Sequence, residues 1–123
     1  MARILLVDDE SSIVKVLEEM LTQLDYDVVT APGGAEALQK LSSGGIDLVV
    51  TDIVMPNMNG LQLIEEIQNT YPAVKIIAMS GGDIKSGPAE YLQTASKLGA
   101  VVCLAKPFTI NDLSTLVKSL LAE

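Results

Sequence analysis

Asp8 and Asp9 follow a short apolar run, Asp52 closes another, Ser80 closes a third and Lys106 follows the last. Three carboxylates gathered in one crevice repel one another, and at neutral pH they either share protons or hold a cation. Oxygen-only ligands suit a hard ion such as Mg2+, which takes one or two carboxylates and keeps several waters. The chain has no His and a single Cys, Cys103, which argues against zinc or iron. A carboxylate beside a divalent cation is a competent nucleophile toward phosphorus, because the cation neutralises charge on the incoming group. Lys106 supplies a point charge for a phosphoryl oxygen and the Ser80 hydroxyl a hydrogen bond.

For these side chains to act together, the chain has to bring separate stretches to one place. Short apolar runs recur at residues 4–7, 28–30, 47–51, 74–79 and 101–105. Several are apolar nearly throughout, as strands buried on both faces are. Segments of helical period lie between them. Ile13, Val14, Leu17, Leu21 and Leu24 form one stripe, with Glu18, Glu19 and Gln23 off it. The last segment repeats the pattern with Ile110, Leu113, Leu116, Val117, Leu120 and Leu121. Thr109 suits the cap of that helix, and Pro88 the first turn of the fourth. The stripe of that fourth helix, Tyr91, Leu92, Ala95 and Leu98, is the most diluted by polar residues. Gly44-Gly45 and Gly99 stand where helices stop, while Pro32-Gly33-Gly34 and Tyr71-Pro72 punctuate loops. Strand and helix alternating five times predict an α/β fold with a doubly wound parallel sheet, covered by helices on both faces. In such a sheet ligands bind outside the carboxyl ends of the strands, where Asp8, Asp9, Asp52, Ser80 and Lys106 all fall.

Each of these residues also has an ordinary role. Asp8-Asp9-Glu10 equally suits an N-cap and favourable acid at the start of the first helix. Asp52 suits a cap on a turn before Pro56, Ser80 a loop or cap position before two glycines, and Lys106-Pro107 a solvated lysine before a turn. Taken together, the ordinary roles require five polar residues to fall by chance at four strand ends.

Composition bounds the partners. The 123 residues fit one domain, 1–123, and 49% of them are apolar, ample for a packed interior. Net charge is -8, and no Lys/Arg run exists, so direct nucleic-acid binding is not expected. A cation or a basic protein face suits this charge better. A lone cysteine permits no internal disulfide, no signal sequence is recognisable and no run has membrane-spanning length, so a cytoplasmic location without membrane association is expected.

The run ILLVDDE from Ile4 to Glu10 resembles the opening of response-regulator receiver domains, as do DLVVTDIVMPNMNG from Asp47 to Gly60 and Lys106-Pro107-Phe108. The resemblance spans the whole chain. It implies a flavodoxin-like sheet of strand order 2-1-3-4-5 and a two-component signalling switch rather than a turnover enzyme. By the same resemblance Asp52 is the phosphoacceptor. Asp9 and Asp52 ligate Mg2+ directly, the Val54 backbone carbonyl is a third ligand, and Asp8 acts largely through water. Ser80 moves toward the phosphoryl group, and Lys106 contacts it from a cis bond to Pro107. The implied donor is a sensor histidine kinase or a histidine phosphotransfer protein docking near the first helix. The implied output is a protein target, met through the fourth helix, fifth strand and fifth helix, or onward transfer in a phosphorelay.

The sequence departs from that pattern at two places. An aromatic residue usually stands where Cys103 does, and a side chain this small has no large rotamer swing to gate the surface. The segment from Ser80 to Pro88 is longer and richer in glycine than usual. Rival readings are a non-phosphorylated pseudo-receiver acting as a binding module, an aspartyl-phosphate hydrolase and a flavin carrier. The hydrolase lacks its second acid, since Val54 stands two residues after Asp52. The flavin carrier lacks a phosphate-cradling loop, since Asp8-Asp9-Glu10 would repel phosphate.

Overall fold

The computed structural model describes residues 2–52, 60–80, 102–105 and 110–121. Within them β1 (Arg3–Val7), β2 (Asp27–Ala31), β3 (Leu48–Asp52), β4 (Lys75–Ser80) and β5 (Val102–Ala105) alternate with α1 (Ser11–Gln23), α2 (Gly34–Ser42), α3 (Gly60–Thr70) and, after β5, α4 (Ile110–Leu121). The strands form one parallel sheet in the order β2-β1-β3-β4-β5, as the resemblance implies. The helix expected around residues 88–98, its apolar stripe and the Thr109 cap lie outside the described residues.

Strand residues alternate between two cores. Leu5, Val7, Val49, Ile76 and Ala78 face α2 and α3, which contribute Ala37, Leu41, Leu63, Ile64 and Ile67. Ile4, Leu6, Leu48, Val50, Ile77 and Met79 face α1 and α4, which contribute Leu17, Leu21, Leu113 and Val117. This explains the unbroken apolar runs. A strand covered on both sides has no solvent face on which to place polar residues. The expected stripe of α1 turns inward, with Leu17 and Leu21 buried and Ile13 packed against the core. Val16, on the opposite side, is 51% exposed.

Helix ends follow local chemistry. α1 stops without a glycine. Asp25 takes φ 68°, while its N–H bonds the Thr22 carbonyl and the Tyr26 N–H bonds that of Leu21, the two bonds of a Schellman ending. Aspartate is among the few residues that tolerate this left-handed conformation. α2 ends as the sequence predicts, with Gly44 and Gly45 at φ 82° and 84°. At its start the helix takes in Gly34, which the sequence places in the loop. Gly33 is the extended N-cap, and Glu36 puts a negative charge in the first turn, where the helix dipole favours it. Among the described residues no helix is long and apolar enough to cross a membrane.

Leu21→Ala, which removes a fully buried side chain between α1 and the sheet, is expected to cost about 2–5 kcal/mol. Val16→Ala is expected to stay within about 0.5 kcal/mol of the parent. Urea denaturation of both variants checks the contrast.

Candidate functional site

β1 and β3 pair in register from Ile4 with Leu48 to Val7 with Thr51, so the next residue of each, Asp8 and Asp52, come side by side. Asp52 is itself the last paired residue of β3, opposite Met79 of β4. On the other side the Asp8 N–H bonds the Ala31 carbonyl at 3.2 Å, carrying the β1–β2 ladder one residue past the strand. Both carboxylates are thus fixed by backbone pairing. Asp8 is 3% exposed and Asp52 6%, whereas Asp9 is open to solvent.

One oxygen from each of Asp8, Asp9 and Asp52 lies within 4.8 Å of the other two. For the buried pair, Asp8 and Asp52, repulsion at this separation is of the order of 3–4 kcal/mol at an effective dielectric of roughly 20. A hard cation with metal–oxygen distances of about 2.0–2.6 Å spans ligand oxygens up to roughly 4–5 Å apart. The all-oxygen donor set and its span both fit such an ion, and a divalent charge would offset the repulsion.

The helix-capping alternative for this run does not describe what these residues do. The N-cap of α1 is Glu10, which makes no side-chain cap bond, and the first turn holds no acidic residue. Instead the Asp8 Oδ1 accepts the Glu10 N–H at 3.0 Å, which turns the chain sharply after β1 and leaves Asp9 at the mouth of the cluster. A groove of about 390 Å3 opens beside Asp8 and Asp9, walled by Val14, Lys15 and Glu18 of α1 and by Thr30 to Pro32.

Ser80 ends β4 and pairs with Ala105, the last residue of β5, so the backbone brings both strand ends to the edge where the carboxylates sit. The side chains of Ser80 and Cys103 lie outside the described residues, as do Val54, Lys106, the cis bond to Pro107, and the turn before Pro56. One residue of this neighbourhood was not foreseen. Thr51 is fully buried and donates its hydroxyl to the Asp52 carbonyl oxygen at 3.0 Å. Its signal in the sequence is a hydroxyl inside an otherwise apolar run.

The family model described as response regulator receiver domain matches residues 4–118. The transcriptional regulatory protein GlrR of Escherichia coli is 39% identical over 107 residues, which are 86% of this chain and 23% of GlrR. This chain therefore spans under a quarter of that relative's length. A response regulator receiver domain protein from Clostridium thermocellum superposes with a TM-score of 0.89 at 32% identity, covering 98% of this chain and 94% of the other. The response regulator protein TrrA of Thermotoga maritima, solved in complex with Mg(2+)-BeF, gives 0.85 at 37% identity, covering 98% of this chain and all of TrrA. The chain belongs to the response regulator receiver domain family.

Asp52→Asn removes one of the clustered charges and is expected to stabilise the protein by about 1–3 kcal/mol when divalent cations are absent. Adding Mg2+ is expected to narrow that gap, because only the parent gains fully from the ion. Denaturation with a chelator and then with Mg2+ measures both effects.

Proposed function

We propose that residues 1–123 act as a phosphorylation-dependent signalling switch in which Asp52 is the phosphoacceptor. The observation that carries this is the convergence of the Asp8, Asp9 and Asp52 oxygens at the carboxyl end of a receiver-family sheet. An Asp52 carboxylate oxygen attacks the phosphorus of a phosphohistidine on a kinase or phosphotransfer protein. The phosphorus–nitrogen bond breaks, and the imidazole leaves. Asp9, Asp52 and the Val54 carbonyl would hold Mg2+, with Asp8 acting largely through water. When bound, the ion neutralises charge on the transferring group. Lys106 and Ser80 contact phosphoryl oxygens, Lys106 reaching them from a cis bond to Pro107. The Mg(2+)-BeF complex of TrrA supports this assignment by family likeness.

The phosphoryl group then biases a two-state equilibrium toward the conformation that engages Ser80. Output passes to a protein target through the segment at 88–98, β5 and α4, with Cys103 replacing the aromatic gate, or onward along a phosphorelay. The domain assists its own phosphorylation and dephosphorylation without turning over a substrate, in the cytoplasm and without gripping nucleic acid directly.

Incubation with a small phosphoryl donor is expected to add one phosphoryl mass in the presence of Mg2+, none with chelator, and none in Asp52→Asn. A parent protein that takes up no phosphoryl group from either a small donor or a histidine-phosphorylated protein would instead establish a pseudo-receiver that works as a binding module.

A further inference from the structure

Thr51 lies on the β3 face that carries Val49, between Val7 of β1 and Ala78 of β4, with no exposed surface. A valine would fill nearly the same volume there, and the residues before it, Leu48 to Val50, are all apolar. The hydroxyl therefore adds nothing to burial, and it costs free energy unless it is hydrogen-bonded. Its acceptor is the carbonyl oxygen of Asp52, 3.0 Å away. Asp52 is the last paired residue of β3, so its own Cα–C bond is where the ladder ceases to constrain the chain. The Thr51 hydroxyl supplies a constraint at that bond. Successive side chains of a strand point to opposite faces, so Thr51 works through the backbone of Asp52 and not on its carboxylate.

We infer that Thr51 is a positioning residue. Its hydroxyl, bonded to the Asp52 carbonyl, holds the end of β3 in the orientation that presents the Asp52 carboxylate to Asp8 and Asp9, and so sets the divalent-cation affinity of the trio. This rests on the reading of the trio as a Mg2+ site.

The test is a Mg2+ titration followed by backbone amide NMR on the parent, Thr51→Val and Thr51→Ser, with thermal melts of each. Thr51→Val is expected to raise the Mg2+ midpoint roughly 3- to 10-fold, at or below the low end of what loss of an outer-shell partner typically does, while Thr51→Ser stays within about 2-fold of the parent. A purely structural role would move the melting temperature and leave the Mg2+ midpoint alone. Equal midpoints in parent and Thr51→Val, or equal defects in Thr51→Val and Thr51→Ser, would overturn the inference. If Thr51→Val does not fold, Thr51→Ala against Thr51→Ser isolates the hydroxyl by the same criterion. A parent that binds no Mg2+ overturns both the cation site and the role of Thr51, whereas normal Mg2+ binding without phosphoryl uptake overturns the phosphoacceptor assignment alone.

Discussion

Asp8 and Asp52 are held together against their own repulsion by the parallel pairing of β1 with β3. The register that sets Val7 beside Thr51 leaves the next residues no choice but to be neighbours. The β1–β2 and β3–β4 ladders pin the two from outside, through the Asp8 N–H and through the pairing of Asp52 with Met79. An unfolded chain would keep these carboxylates apart, so folding raises their mutual energy. That cost is borne by the two cores, in which each fully buried aliphatic side chain contributes roughly 1.5–3 kcal/mol. A divalent cation among the three carboxylates would offset their mutual repulsion.

The same sheet explains why the chemistry sits at one edge. Every strand is parallel, so every strand's carboxyl end points the same way, and Asp8, Asp52, Ser80 and Ala105 share that edge although they are far apart in sequence. Two helical layers seal both faces, and the edge is left as the place where polar groups meet solvent. The sharp turn made by the bond from the Glu10 N–H to Asp8 keeps Asp9 at the opening, where it stays accessible beside two nearly buried partners. An open carboxylate next to a buried pair leaves the cluster accessible to a cation from solvent.

Much of this was legible in the chain itself. Apolar runs of three to six residues separated by stripes of helical period predict the βα alternation, and each strand boundary lies within one residue of the run that predicts it. Where a strand outruns its apolar run, the added residue is one that completes a ladder rung, such as Asp27 opposite Arg3 or Asp52 opposite Met79. The carboxylate trio was legible because acidic residues break the apolar pattern at the ends of β1 and β3. Other features were not. Asp25 ending α1 looks like any surface acid, since its left-handed conformation is dictated by two backbone bonds and not by its type. Thr51 looks like one more β-branched residue in a strand, and only its bond to the Asp52 carbonyl distinguishes it from a valine.

Of the three carboxylates that folding gathers, Asp52 is the proposed acceptor. The most direct test is to locate the phosphoryl group. Reductive trapping with borohydride converts an aspartyl phosphate to homoserine, and peptide mass mapping then names the residue. Conversion confined to Asp52, and dependent on Mg2+, is the predicted result. Conversion at Asp8 or Asp9, or at a residue outside the cluster, would show that Asp52 is not the acceptor.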